Sequence, residues 1–194
     1  MRSLSFFRFS FALAAMLTLG GCLVSDVPVL DARTGKARPF SDGDYLACPL
    51  KDGEIEAGDE CDRLTARKLK DGGYSFINPE EDDDPAFLRF RRIGRGGYAV
   101  QSSESDDFVY YYGAKRDGGM LLVLMNCPDL PAELRARLIA SGDLEPDDEK
   151  FSVCKVKTLR GLTEAAKAYH RGDVAEIVDA AILIAPAPPL EETE

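Results

Sequence analysis

Histidine is almost absent from this chain of 194 residues: His170 is the only one. A metal site built on imidazole is therefore poorly served. The cysteines offer no alternative, because no C-x-x-C occurs and their spacings are long. The fingerprints of common catalytic and nucleotide-binding loops are missing as well. There is no Gly-x-Ser-x-Gly, no His-Glu-x-x-His, no Walker loop and no dinucleotide-binding glycine pattern. Basic residues are outnumbered, with 24 Lys and Arg against 34 Asp and Glu, a formal charge of −10. So acidic a chain does not suit nucleic acid, because phosphate contacts need a basic face. It also disfavours a purely electrostatic grip on anionic lipid. What it favours is encounter with a basic partner, or simply solubility.

The N-terminus is the most informative stretch. Arg2 and Arg8 are the only charges before Asp26, and about a dozen largely apolar residues follow Arg8. That fits the apolar region of a signal peptide and falls short of the ~20 residues of a spanning helix. The segment ends Leu19-Gly20-Gly21-Cys22. An apolar residue, two small residues and a cysteine in that place make the chain resemble a bacterial lipoprotein precursor. The resemblance covers residues 1–22 only. It implies a signal peptide over 1–21, cleavage after Gly21, a diacylated sulfur on Cys22 and a Cys22 amine open to further acylation. Two or three acyl chains anchor stably, at roughly 0.8 kcal/mol per buried CH₂. Leu23 follows where an Asp would mark inner-membrane retention in enterobacterial lipoproteins. The resemblance thus implies the outer membrane, facing the periplasm. An ordinary secretory signal with Cys22 as a plain cysteine is the simpler alternative. Without Arg2 and Arg8 the processed chain keeps 22 basic residues against 34 acidic, a formal −12.

Four further cysteines, Cys48, Cys61, Cys127 and Cys154, read as two disulfides in an exported protein. Three pairings are open, and proximity favours Cys48–Cys61 with Cys127–Cys154. Bonds closing those loops contribute about 3 and 3.5 kcal/mol on the chain-entropy model.

Residues 22–41 mix prolines and charges without a steady period, which predicts a lipidated tether. A single domain is expected over 42–186, and 187–194 reads as a disordered acidic tail. Inside the domain a pattern repeats: Gly72-Gly73, Gly96-Gly97 and Gly118-Gly119 each sit between runs with strand character. Glycine pairs supply the backbone angles of tight hairpins. With strands at Tyr45 and near Val153, about eight strands are expected, as an antiparallel meander closing into a barrel or sandwich. The fold class is mainly β (α+β), with two or three short helices in the C-terminal third. Leu130, Leu134, Leu138 and Ile139 mark a first helix. Leu159, Leu162, Ala166 and Tyr169 mark a second, ending near Gly172. Val174, Ile177, Val178, Ala181 and Ile182 suggest a third, although Ala180–Ala185 could instead be a strand.

Candidate binding residues are few. Tyr110 and Tyr112 share one face of a strand and could stack on a sugar or peptide, or simply form wall and core. Glu80, Glu81, Asp82, Asp83 and Asp84, bracketed by Pro79 and Pro85, must be solvated or paired. They lack the ligand alternation and central glycine of an EF-hand loop, which leaves a solvated loop or an acidic contact for a basic partner. His170 lies at the expected end of a helix beside Arg171, where a cation suits the helix dipole. No cofactor and no metal is implied. The sequence favours a membrane-anchored, non-enzymatic binding or envelope-assembly module. The alternatives are an inhibitor of a basic hydrolase such as lysozyme, or a cell-wall glycan hydrolase using a carboxylate pair.

Overall fold

The computed structural model describes residues 21–50, 54–55, 61–79, 84–104, 107–116, 118–147, 152–174 and 181–189. In chain order they form β1 (Leu23–Ser25), β2 (Gly43–Leu50), β3 (Asp62–Lys68), β4 (Tyr74–Ile77), β5 (Ala86–Gly94), β6 (Gly97–Glu104), β7 (Asp107–Arg116) and β8 (Gly119–Leu124). There follow α1 (Ala132–Ala140), β9 (Leu144–Pro146), β10 (Cys154–Val156), α2 (Leu159–Arg171) and β11 (Ala181–Pro186). Eight strands close an antiparallel barrel in the order β6-β5-β4-β3-β2-β11-β8-β7, and β7 pairs back to β6. Each Gly-Gly pair joins two neighbours in that barrel, as the repeat predicts. Gly96 (φ 73°) and Gly118 (φ 81°) adopt the left-handed backbone such turns require.

Alternation fills the barrel. Tyr45, Leu64, Phe76, Phe90, Val100, Tyr111, Leu122 and Ile184, one from each barrel strand, meet in a single interior cluster. Burying a side chain of this size contributes roughly 1.5–3 kcal/mol. The opposite faces of β6 and β7 are buried too, under α2 and the segment around β1, in a second cluster that includes Tyr112, Leu162, Ala165 and Tyr169. The wall is thus apolar on both sides, which is why β7 and β8 read as continuous apolar runs.

β7 is long enough to have two neighbours on one side. Its Tyr111–Arg116 half pairs with β8, and Val109 and Phe108 pair with Val24 and Ser25 of β1. β1 then leads through β10 to β9, a short side-sheet branching from the barrel. The Cys127–Cys154 bond fastens that branch, and Cys48–Cys61 closes the β2–β3 connection. Both bonds have the pairing expected from proximity.

Two expectations are corrected. Residues 22–41 are not a free tether. Leu23 and Leu30 are fully buried, and Phe40 inserts into the barrel among Tyr45, Tyr74, Phe76 and Phe90, with ring centroids 5.2–5.8 Å away. The segment is a strap, and its irregular spacing reflects contacts with several elements in turn. Gln101 holds it: Oε1 accepts from the N–H groups of Val29 and Leu30 at 2.8 and 2.7 Å, and Nε2 donates to the Leu30 carbonyl at 3.2 Å. Second, of the two readings left open for Ala180–Ala185 the strand is the one observed, so Ala181 and Ile182 do not belong to a third helix. β11 is the stave between β8 and β2 without which the barrel would not close. Residues 175–180 lie outside the described residues.

Candidate functional site

Cys22 occupies the point where β1 leaves the barrel wall. It bridges to Asn126, its carbonyl accepts from the Cys154 N–H at 3.3 Å, and the preceding Gly21 carbonyl accepts from the Cys127 N–H at 2.5 Å. Leu23 N–H donates to the Met125 carbonyl at 2.8 Å. The backbone of residues 21–23 is therefore stitched to both halves of the second disulfide. Asn126 N–H in turn donates to the Tyr169 hydroxyl at 2.8 Å, and Asn126 Nδ2 to Asp129 at 2.9 Å. Burial raises the Tyr169 phenol well above its ordinary pKa, so it stays a neutral hydrogen-bonding group. Cys22 itself is buried.

The two candidate tyrosines are not at a surface. Tyr110 is fully buried; its hydroxyl lies 2.6 Å from Ser25 Oγ, and burial pushes its pKa up to about 12. Tyr112 lies under α2, its hydroxyl 2.9 Å from His170 Nδ1 and its ring tilted against Tyr169. Neither offers a free face for stacking, so the reading of wall and core is the correct one. Of the acidic run, Asp84 is exposed, and Glu80, Glu81, Asp82 and Asp83 lie outside the described residues.

Sequence reasoning missed the seat of the single histidine. The His170 ring rests on Gly94 and Gly97 so closely that a Cβ on Gly97 would meet Nδ1 at 2.5 Å, and one on Gly94 would meet Nε2 at 2.6 Å. Gly94 and Gly97 flank the β5–β6 turn and read as turn residues; their second duty is to admit a ring from α2. A second missed residue is Asp143. It is buried and accepts from Ser141 Oγ, Thr158 Oγ1 and the Arg160 guanidinium, which ties the end of α1 to the start of α2. The Arg160 hydrogen bonds, then those from Ser141 and Thr158, hold its carboxyl well below the usual range. Both are structural nodes, packed or saturated, with no open coordination. Among the described residues no three His, Cys, Asp or Glu side chains converge as a metal site.

Strand direction sorts the connections by end. The β3–β4, β5–β6 and β7–β8 turns, all Gly-Gly, leave one end of the barrel. The β2–β3, β4–β5 and β6–β7 connections leave the other. In sequence, residues 51–61, 78–85 and 105–106 carry 11 acidic residues and one basic. Among the described residues at that end, Glu54, Ile55, Asp84, Phe87 and Asp107 are exposed, Phe87 by 45%.

Comparison with known proteins gives no match: no family model, no curated protein and no solved structure aligns significantly with this chain.

Proposed function

We propose that the protein is a lipoprotein of the bacterial envelope, acylated at Cys22 and held at the outer membrane facing the periplasm, and that it works by binding another envelope component rather than by catalysis. The observation that carries the anchor is the Leu19-Gly20-Gly21-Cys22 motif after a short basic and apolar leader. Binding is favoured over catalysis because the buried polar groups described above are engaged in holding the fold: Gln101 clamps the strap, Asp143 ties two helices, and His170 is seated under Tyr112. The test is a pull-down from envelope extract with the mature protein, partners being identified by mass spectrometry. One stoichiometric protein partner is the expected result. A blank, combined with turnover of cell-wall fragments that dies with a single Asp or Glu, would overturn the reading.

One observation favours a particular partner. Three connections that carry 11 acidic residues in sequence leave one end of the barrel, and among the described residues Glu54, Asp84, Asp107, Ile55 and Phe87 are exposed there. A basic protein, such as a cationic hydrolase that the lipoprotein inhibits, complements that end. Its capture should be strong at low salt and lost at 1 M, where the Debye length shrinks to about 3 Å.

A further inference from the structure

The bond that the proposed lipoprotein would lose, Gly21–Cys22, lies inside the fold. Gly21 is buried, Cys22 is 4% exposed and Leu23 is fully buried. The two residues after the bond face opposite sides of the wall. Cys22 belongs to the interior cluster with Tyr111, Leu122 and Leu124, and Leu23 to the second cluster with Leu162 and Tyr169. Three backbone hydrogen bonds clasp the segment. Cys127 N–H donates to the Gly21 carbonyl, Cys154 N–H to the Cys22 carbonyl, and Leu23 N–H to the Met125 carbonyl. There is little slack at Gly21, where a Cβ would meet Pro128 Cδ at 3.2 Å and Asn126 Cβ at 3.6 Å.

The clasp is supplied from far along the chain. Leu23 and Val24 pair with Cys154 and Lys155, and Val24 and Ser25 with Val109 and Phe108. The Cys127–Cys154 bond ties two of the donors together. Residues 21–23 therefore stay accessible until the later strands have folded and that disulfide has formed.

Both reactions implied at Cys22 need what the closed fold withholds. In acyl transfer the sulfur bonds to the glyceryl carbon of a phospholipid donor. The C–O bond to the phosphate breaks, the phosphate headgroup leaves with the electron pair, and the thiol gives up its proton. Cleavage is hydrolysis: water adds at the Gly21 carbonyl, and the products are a Gly21 carboxylate and a Cys22 amine. In the closed fold the side chain that must react is buried, and the carbonyl that must enter a peptidase cleft is held by Cys127.

We propose that acylation and cleavage at Cys22 precede closure of the fold over residues 21–23, so that a precursor which folds first is refractory to both. The proposal rests on the lipoprotein reading, and its test separates the two.

The full-length precursor is prepared in detergent micelles with both disulfides formed, and again reduced and unfolded in urea. A third sample, folded and oxidised, carries a flexible Gly-Ser spacer between Cys22 and Leu23. Each is diluted into detergent-solubilised envelope membranes containing palmitate-labelled phospholipid, where no translocation is needed. Label on Cys22 and the mass of the N-terminal fragment are followed. The unfolded chain and the folded spacer variant should be acylated and cleaved at similar rates. The folded precursor should react at least about tenfold more slowly, as ~1.4 kcal/mol of protection requires. Iodoacetamide gives a readout that needs no enzyme, because Cys22 is the one cysteine outside the two disulfides. It should alkylate the folded precursor at least about tenfold more slowly than the folded spacer variant. Equal processing of the folded and unfolded precursors would overturn the proposal and leave the lipoprotein reading standing. So would a folded spacer variant as refractory as the folded precursor, or equal alkylation of the two. No label on any of the three samples would overturn the lipoprotein reading and the proposed order with it.

Discussion

The backbone N–H of Cys127 donates at 2.5 Å to the carbonyl of Gly21, the residue after which the proposed lipoprotein would be cleaved. Such cleavage would remove that acceptor from a buried donor. An acyl group placed on the Cys22 nitrogen puts an amide carbonyl back at the same position in the chain. A buried unpaired donor costs about 1–3 kcal/mol. The mature protein with an acylated amine should therefore be more stable by about that amount than the form with a free amine. Urea midpoints of the two forms, prepared with and without the N-acylation step, check this; equal midpoints would show that the carbonyl is not replaced.

Phe40 should be the most costly residue of the strap. Its ring meets four aromatic neighbours inside the barrel, and Phe→Ala in such a place costs about 3–5 kcal/mol. Phe40→Ala should lower the urea midpoint accordingly. Val27→Ala, at a site 67% exposed, should stay within about 0.5 kcal/mol. A free tether would make the two substitutions equally silent.

Gly97 and His170 should be coupled. Gly97→Ala brings a methyl group into the imidazole, and overpacking of this kind costs about 1–3 kcal/mol. His170→Ala removes the ring, so the double variant should recover most of the loss caused by Gly97→Ala. A double-mutant cycle measures the coupling, and strictly additive effects would contradict the seat.

How much of this was legible follows from the range of each interaction. The three hairpins could be read because a Gly-Gly turn and two alternating runs are local signals. α1 and α2 could be read because a Leu or Ala face recurs every three to four residues and Gly172 closes α2 with φ 73°. The strap could not, because Leu23 and Leu30 are buried in one cluster and Phe40 in the other, and the three share no period. β11 was ambiguous because a short apolar run fits either a strand or a helix, and only the gap between β8 and β2 decides it. The place of Cys22 at the branch point was not legible, because it depends on distant Asn126 and Cys154. Tyr110 and Tyr112 misled because alternation assigns a face without saying that a helix covers it.

Asp143 makes stability depend on acid. Its carboxyl is held low by Arg160, then Ser141 and Thr158. A carboxyl depressed in the fold stabilises fully above the unfolded pKa of about 3.9, and that contribution drains away as pH falls from there toward the folded value. Urea midpoints measured from neutral pH down into that range should fall, and Asp143→Asn should start lower at neutral pH and fall less steeply. A slope unchanged by the substitution would place the acid sensitivity elsewhere.

The most direct test of the anchor is the mass of the N-terminal fragment of the mature protein from the membrane fraction. The account predicts a chain that begins at Cys22 and carries a diacylglyceryl group on its sulfur, and a Cys22→Ser variant that leaves the membrane fraction. A mature chain with an unmodified Cys22 thiol, or a Cys22→Ser variant that stays with the membrane and keeps its palmitate label, would contradict it.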